Sequence, residues 1–343
     1  MKANEQTLNE APVPVVIMGL GPVGTSIAQR VLQCRDLELV AVLEVSPELV
    51  GRQLGDLLEG SETGLVVTSD QDTAFEQARN GVVIQATGSR LSDVAPEVLA
   101  ALRAGLSVIS TCSELACPWL ENTDLAETLH QVACEQQKTV LGTGVNPGFA
   151  LDRLVSCAGT VSGNIRHVHA RRVVDIANRR MALLNKAGVG LPVAEFLDKG
   201  KTGVVGHRGL NHSAVLAATG LGLEYDDIRE DIEPVISDKK WTGAVSIQPG
   251  QVAGYRQSAC VLQAGRELIR LDLTYAVDVI NNDSILIEAD PVIDLVIRNG
   301  VSGDAATAWS AINAVPAVLQ ARPGLLSVLD LPPAKSTTIY KCV

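Results

Sequence analysis

This sequence of 343 residues is poor in aromatic side chains and has no long hydrophobic run. Phe, Trp and Tyr make up 3% of it, although aromatic rings commonly help to close a small dry pocket. No apolar run approaches the roughly 18 residues of a transmembrane helix. Residues 1–12 also lack the basic start and apolar centre of a signal peptide, and a short disordered lead is predicted there. We therefore expect an ordinary soluble globular protein.

Paired cysteines and a basic surface are missing as well. The seven cysteines are scattered and include no Cys-x-x-Cys pair, which favours reduced thiols in a cytoplasmic protein and no metal site. The formal net charge is −11, and no basic arm offsets it. Nucleic acid and anionic membranes are not expected as partners, because both would repel the chain.

The first motif is a glycine-rich turn between an apolar strand and a helix. The strand is predicted over 13–18, the turn reads Gly19-Leu-Gly-Pro-Val-Gly24, and a helical pattern follows. In a Rossmann fold the first glycine permits the tight turn, the second lets the backbone approach a pyrophosphate, and the third lets the helix pack closely. The predicted cofactor contacts in this turn are Gly19, Gly21, Pro22, Val23 and Gly24.

An acidic residue after the second predicted strand bears on the choice of cofactor. Glu44 lies twenty residues after Gly24, where its carboxylate can accept hydrogen bonds from ribose hydroxyls and repel a 2′-phosphate. Arg52, on the following loop, could instead bind such a phosphate. We therefore expect NAD or NADP as cofactor, with NAD slightly favoured.

The pattern of strands changes along the chain. Short runs that are apolar throughout, among them Leu65–Thr68, alternate with helical stretches, so the fold class is α/β, with a doubly wound parallel Rossmann sheet at 13–147. Residues 148–302 are predicted to form a second α+β domain, for substrate and dimerisation, with a mixed or antiparallel sheet. Residues 303–343 are predicted to form a helix and tail that return to the Rossmann domain.

A homodimer is predicted from one strand of the second domain. The stretch 267–277 has more apolar residues than one side of a core should need, and they are Leu268, Ile269, Leu271, Leu273 and Val277. An apolar second face would require a partner, and a second copy of the chain could cover it. The alternative is that helices of the same chain cover both faces.

Side chains that follow parallel strands meet at the carboxyl edge of the sheet, where ligands bind. Thr87 and Gly88 follow one predicted strand, and Ser110–Leu115 follows the next. Within that second stretch, Glu114 suits amine or imine chemistry, because a carboxylate can position ammonia, take its proton and stabilise a cation. Glu114 is the predicted catalytic residue; the alternative is a solvated acid that begins a helical turn.

Several motifs resemble those of one family. They are Gly19-Leu-Gly-Pro-Val-Gly24, Val50-Gly-Arg-Gln-Leu-Gly55, Ser110-Thr-Cys-Ser-Glu-Leu115, Gly142-Thr-Gly-Val-Asn-Pro-Gly-Phe149, Arg172-Val-Val-Asp175, Arg179-Arg180, Gly206-His-Arg-Gly209 and Gly303-Asp-Ala-Ala-Thr307. With them the chain resembles the dihydrodipicolinate reductase-like superfamily, in its branch of 2,4-diaminopentanoate dehydrogenases and native amine dehydrogenases.

The resemblance implies an NAD(P)-dependent enzyme that deaminates a small amine or diamine, or aminates a ketone or aldehyde with ammonia. Glu114 would hold the ammonia or amine. The implied cofactor contacts include Cys112 and Asn146, and the implied substrate contacts are Asn146, Phe149, Arg172 and His207. Arg171 and Arg172 should face opposite sides of a strand, so that only one can enter a cleft.

Other activities stay open. Dihydrodipicolinate reductase itself has a His-His-x-x-Lys signature, but the comparable strand here reads His167-Val-His-Ala-Arg-Arg172. An amino-acid or alcohol dehydrogenase on the same scaffold is one alternative, and Arg172 could then hold a substrate carboxylate. A non-catalytic NAD(P)-binding sensor is another, but Glu114 would have no evident use in it.

Overall fold

The computed structural model describes residues 11–58 and 63–337, and the chain divides into two compact units. The first unit comprises Met1–Gly144 and Asp304–Val343, and the second comprises Val145–Gly303. The predicted domain limits, after 147 and after 302, lie close to these divisions. The predicted disordered lead lies outside the described residues except for its last two positions, and Cys342 also lies outside them.

The strands of the described residues form two six-stranded sheets and the two-stranded sheet β8-β9. In chain order they are β1 (Val13–Met18), β2 (Leu37–Leu43), β3 (Val82–Gln85), β4 (Ser107–Ser110), β5 (Thr139–Gly142), β6 (Gly163–Asp175), β7 (Asp227–Ile236), β8 (Trp241–Thr242), β9 (Ser246–Ile247), β10 (Val252–Gln263), β11 (Arg266–Ala276), β12 (Asn282–Asp290), β13 (Ile293–Arg298) and β14 (Gly324–Leu326).

Helices connect and cover these strands. They are α1 (Pro22–Val31), α2 (Leu54–Leu57), α3 (Gln71–Gln77), α4 (Leu91–Arg103), α5 (Thr123–Glu135), α6 (Arg153–Gly159), α7 (Met181–Lys186), α8 (Val193–Lys201), α9 (Leu210–Gly220) and α10 (Gly303–Gln320), with 3-10 turns at Glu114–Ala116 and Pro118–Leu120. Pro22 begins α1, where its missing N–H group would have no partner in the helix.

The first unit contains a parallel sheet in the order β14-β5-β4-β3-β1-β2. Its central strands are buried along their whole length, because helices cover both faces. The predicted fold class, with a parallel Rossmann sheet, is therefore confirmed. The predicted strand at 65–68 is wrong: Val66 and Thr68 make only isolated bridges, to Gln53 and Leu43.

The second unit contains a mixed sheet in the order β13-β12-β6-β11-β10-β7. Only the pair formed by β6 and β11 is parallel among these described strands, and α9 packs against β10 and β11. In β11, Ile269, Leu271 and Leu273 are fully buried, and they alternate with Arg270 and Asp272. Leu268, next to this row, is buried as well, so the apolar second face of the strand stays a prediction, as does the homodimer.

Candidate functional site

The glycine turn of the first unit has the shape that a dinucleotide phosphate requires. Gly19 has a φ of +92°, which disfavours any residue with a side chain. A Cβ atom at Gly24 would lie 1.8 Å from the carbonyl oxygen of Gly19, so only glycine lets α1 begin this close to the turn. A Cβ at Gly21 would meet nothing within 4 Å, and no side chain caps α1. Open space and uncapped N–H groups at the helix start, around Val23, fit an anion.

Glu44 is tied to this turn by its own carboxylate. Its Oε2 accepts a hydrogen bond from the N–H of Leu20 at 2.8 Å, and its Oε1 accepts from Val45 at 2.8 Å and Ser46 at 3.1 Å. Burial would raise the pKa of Glu44, but these three N–H groups outweigh it and hold the pKa below its ordinary value. The side chain is therefore a fixed, ionised acceptor beside the glycine turn.

A cleft of about 350 Å³ lies against the turn and carries negative charge. Its acidic lining residues are Glu44, Asp93 and Glu97, and none of the described residues that line it is a lysine or arginine. Arg52 is exposed on its loop and is not among the lining residues. The cleft can thus hold an uncharged ribose more readily than a 2′-phosphate.

A polar network that the sequence did not reveal crosses the carboxyl edge beside this cleft. Thr87 lines the cleft, and its hydroxyl is hydrogen-bonded to Glu97 and to Gln85. Gln85 is fully buried and bonds in turn to Ser110 on the neighbouring strand. Gln85 could have been found from the sequence, because it is a polar residue at the end of an otherwise apolar strand. The network fixes the position of Thr87, next to Gly88.

Glu114 is buried at the same edge, in the 3-10 turn that follows β4. Its side chain is 5% exposed, so the alternative of a solvated acid is not what the structure contains. Its Oε2 accepts a hydrogen bond of 2.7 Å from the N–H of Leu91, the first residue of α4, and lies 3.4 Å from Nδ2 of Asn122. The carboxylate is therefore oriented by a helix N-terminus, which stabilises its negative charge.

Cys112, predicted to contact the cofactor, has its thiol in the apolar core of the first unit. It is 1% exposed and packs among aliphatic residues, and burial raises its pKa to about 12. Its N–H donates to the hydroxyl of Ser110 at 3.0 Å. The thiol of Cys112 is therefore neutral and buried, and the N–H groups of Leu115 and Glu114 lie close enough to hydrogen-bond to it.

In the second unit, Asn146 and His207 are brought together. Asn146 Nδ2 lies 3.1 Å from His207 Nε2, although 61 positions separate them in the sequence. The hydroxyl of Ser213 lies 3.3 Å from Asn146 Oδ1 and 2.8 Å from Oδ2 of the fully buried Asp152. A hydrogen-bonded chain therefore leads from Asp152 to the His207 ring and fixes its orientation.

The backbone of His207 is held as firmly as its ring. The side-chain amide of Gln257 accepts from the His207 N–H at 2.7 Å and donates to its carbonyl oxygen at 2.8 Å. The Tyr275 ring lies 6.3 Å from the imidazole, centroid to centroid, and Tyr255 lies 5.6 Å from Tyr275. Although aromatics are scarce, two of them converge here. Gln257 and Tyr255 lie on β10 and Tyr275 lies on β11, and none of the three was predicted from the sequence.

Cations dominate the electrostatics around His207. Burial, together with the charges of Lys186 and Arg172, lowers the pKa of His207 to about 3, so that the ring is neutral at physiological pH. Solvent reaches Lys186, but desolvation, Arg208 and Arg180 lower its pKa as well.

Arg172 and Phe149, the other predicted substrate residues, have different surroundings. Arg172 is 1% exposed, and its Nη1 lies 2.5 Å from Asp283 on the neighbouring strand. Its Nη2 donates to the carbonyl oxygen of Val301 at 2.6 Å. Both terminal nitrogens are thus occupied inside the unit, and Arg172 joins strands rather than facing a cleft. Phe149 is 37% exposed and follows the Asn146-Pro-Gly segment.

The described residues contain no group of three or more His, Cys, Asp or Glu side chains that could hold a metal ion. Over 11–58 and 63–337, no helix has the length and apolar character needed to cross a membrane. The described cysteines are free thiols.

Comparisons with known proteins agree with this architecture. The 2,4-diaminopentanoate dehydrogenase of Acetoanaerobium sticklandii is 28% identical over 331 residues, which cover 93% of each chain. The 4-hydroxy-tetrahydrodipicolinate reductase of a Ruegeria species is 27% identical over 214 residues, 59% of this chain and 74% of that protein. The amine dehydrogenase structure from Mycobacterium smegmatis shares the fold, with a TM-score of 0.84 and 21% identity over 95% of this chain and 98% of that one.

Family models match both units. Residues 13–112 match the N-terminal domain of dihydrodipicolinate reductase, and residues 149–340 match the 2,4-diaminopentanoate dehydrogenase C-terminal domain. The second match covers more than half of the chain, which confirms the predicted family and with it the predicted oxidoreductase class. The chain belongs to the 2,4-diaminopentanoate dehydrogenase family.

Proposed function

We propose that this protein is an NAD(P)-dependent amine dehydrogenase. It deaminates a small amine or diamine, and in the reverse direction it aminates a ketone or aldehyde with ammonia. The observation that carries the proposal is the buried Glu114 carboxylate at the carboxyl edge of a dinucleotide-binding sheet. The name of the Acetoanaerobium relative supports the same class of substrate.

The bound nicotinamide supplies or accepts the hydride, and the chain's own residues do the remaining work. Glu114 holds ammonia by hydrogen bonding and takes its extra proton. Glu114 returns that proton to the hydroxyl group that leaves the carbinolamine as water, and the regenerated carboxylate stabilises the iminium cation. Because the N–H of Leu91 fixes Oε2, little reorganisation is needed when positive charge develops nearby.

NAD is the favoured cofactor. The glycine turn would hold the pyrophosphate, with Gly21 leaving space for it, and Glu44 would accept the ribose hydroxyls. The three carboxylates along the cleft disfavour a 2′-phosphate. Arg52 could offset this repulsion only by moving from its exposed position, so some use of NADP stays part of the proposal.

The substrate side is assigned to the second unit, with Asn146, Phe149 and His207 as contacts. A neutral His207 donates or accepts one hydrogen bond without adding charge. An amino-acid dehydrogenase is the second candidate, because cations surround His207. Arg172 is not proposed as its carboxylate ligand, since Asp283 already neutralises it.

Cellular and oligomeric state are also proposals. Free thiols in the described part of the chain suit the reducing cytoplasm. We propose a homodimer through the sheet of the second unit, by the family resemblance. Light scattering at micromolar concentration tests it: twice the chain mass of 36.1 kDa is expected, and the mass of a single chain would contradict the proposal.

A panel assay tests the function. Oxidation of NADH and of NADPH is followed with ketones and aldehydes, in high ammonia and without it. Turnover that requires ammonia is expected, faster with NADH. Turnover without ammonia would instead indicate an alcohol dehydrogenase, and cofactor binding without any turnover would indicate a sensor.

A further inference from the structure

The side chain of Gln85 lies at the centre of a hydrogen-bonded chain that crosses the carboxyl edge of the parallel sheet. On one side, the N–H of Cys112 donates to the hydroxyl of Ser110 at 3.0 Å, and this hydroxyl donates to Oε1 of Gln85. On the other side, Nε2 of Gln85 donates to the hydroxyl of Thr87 and to Oε2 of Glu97, the latter at 3.0 Å. The Thr87 hydroxyl donates to the same carboxylate. The chain therefore leads from the turn after β4 to a wall of the cleft beside the glycine turn.

The direction of the bonds around Gln85 is set by Glu97. A carboxylate accepts hydrogen bonds but cannot donate them, so the Thr87 hydroxyl must donate to Glu97 and accept from Gln85. Turning the Gln85 amide over would place its oxygen against the Glu97 carboxylate, where two acceptors repel each other. Because Gln85 is fully buried, water cannot replace a lost partner. The amide is therefore held in one orientation.

Backbone hydrogen bonds join the segment that follows β3 to the turn that follows β4. The N–H of Thr111 donates to the carbonyl oxygen of Gln85 at 3.0 Å, and the N–H of Glu114 donates to that of Ser89 at 3.3 Å. The Glu114 carboxylate in turn accepts from the N–H of Leu91 at 2.7 Å. The position of Glu114 is therefore set by the segment that begins at Gln85 and lines the cleft.

The turn is also held from the side of β5. A Cβ atom at Gly142, the last residue of β5, would lie 2.3 Å from the carbonyl carbon of Leu115, so the backbone of the turn touches this strand. Such close contact leaves the turn no room to settle deeper into the sheet. Its remaining freedom lies along the sheet edge, towards or away from the cleft. The Gln85 side chain is placed to fix that separation.

We propose that Gln85 is a positioning residue for Glu114. Gln85 is fully buried and is not among the residues that line the cleft, but it fixes the separation between Glu114 and Thr87. The hydride donor and the group that holds ammonia must reach adjacent atoms of the substrate, and a displacement of about 1 Å can cost roughly 100-fold in rate. The inference rests on the proposed amine dehydrogenase function and adds to it a residue on which the reacting geometry depends.

The first measurement separates kcat from cofactor affinity. Gln85→Met keeps an unbranched side chain of similar length but removes both the donor and the acceptor. With NADH, ammonia and the carbonyl compound that turns over fastest in the panel assay, kcat should fall about 10- to 100-fold. The Kd for NADH, measured by fluorescence, should change less than about threefold, because the Thr87 hydroxyl keeps its bond to Glu97.

The second measurement asks whether the effect passes through Glu114. In the Glu114→Gln background, adding Gln85→Met should lower the rate of NADH oxidation in single turnovers by less than about threefold, because residues that act as a unit are not additive. A merely structural role would lower the rate equally in both backgrounds, and that result would overturn the proposal. A kcat of Gln85→Met within about threefold of the parent would overturn it as well.

Two serines of β4 provide a second variant and a control. Ser110→Ala removes the hydroxyl that links Gln85 to the N–H of Cys112, so kcat should fall here too, even if Gln85→Met does not fold. Ser107→Ala removes a buried hydroxyl at the opposite end of the strand, which accepts from the N–H of Thr139 at 3.2 Å. It should leave kcat unchanged, and an equal loss in both serine variants would overturn the proposal. Absence of ammonia-dependent turnover in the parent protein would instead overturn the proposed function, and the role of Gln85 with it.

Discussion

Two polar regions of this protein carry opposite charge. The cleft beside the glycine turn is lined by the carboxylates of Glu44, Asp93 and Glu97, whereas in the second unit the charges of Arg208 and Arg180 act on Lys186. The net charge of −11 has the same sign as the first region and gives no indication of the second. Net charge therefore predicts which macromolecules the surface repels, but not which small ligand a particular site accepts.

The second unit also contains a buried pair of opposite charges, Arg172 and Asp283. The largest expected effect is on Arg172, whose buried partner Asp283 would be left uncompensated by Arg172→Met. We expect the free energy of unfolding to fall by about 3–5 kcal/mol, measured by urea denaturation. The double variant Arg172→Met with Asp283→Leu should recover most of it. A normal stability in the single variant, with a raised KM, would instead make Arg172 a substrate ligand.

In the first unit, the sharpest test replaces Glu114, a buried carboxylate that is not among the residues lining the cleft. Glu114→Gln keeps the shape and can still accept the N–H of Leu91, but it removes the negative charge. We expect kcat to fall roughly 100-fold or more, while the affinity for NADH measured by fluorescence stays the same. Activity within a few-fold of the parent would show that another group carries out the proton transfer.

The two regions differ in how far sequence could predict them. The turn from Gly19 to Gly24, and Glu44 after the next strand, are contiguous signals with fixed spacing, so both the fold and the placement of the glycines could be predicted. Glu114 could be predicted at the sheet edge because it directly follows a strand. Its hydrogen bond to Leu91 could not, since it joins residues 23 positions apart.

The second region is assembled from distant segments. His207 depends on Asn146, Ser213 and Gln257, which lie on a loop, a helix and a strand. No local sequence pattern links these positions. The alternation of polar and apolar residues along a strand does not show which of its faces another part of the chain covers. For the same reason Arg172 was predicted to enter a substrate cleft, and its buried partner Asp283, on β12, could not be identified.

The pKa of His207 depends on burial and on the charged groups around the ring. Its pKa is lowered to about 3 in the folded chain from an ordinary 6.5, so between these values the unfolded chain binds a proton that the folded chain does not. The free energy of unfolding should therefore decrease as pH falls from 6.5 towards 3, by up to about 1.4 kcal/mol per pH unit. Urea midpoints at pH 7, 6 and 5 measure this, and His207→Gln should flatten the dependence. Equal slopes in both proteins would mean that His207 is protonated normally.

The smallest expected effect, on cofactor choice, tests whether the negative charge of the first cleft has a function. Glu44→Ser removes the acceptor that holds the Leu20 N–H together with one repulsive charge, so NAD should bind about tenfold more weakly and the preference for NAD over NADP should decrease. Glu97→Gln is the matched variant: it also removes a cleft carboxylate, but it leaves the glycine turn untouched. It should shift the preference less than Glu44→Ser, because charge alone changes. The measurement is the ratio of kcat/KM for NADH to kcat/KM for NADPH in each variant. An unchanged ratio in Glu44→Ser would show that this carboxylate orders the turn without contacting the ribose.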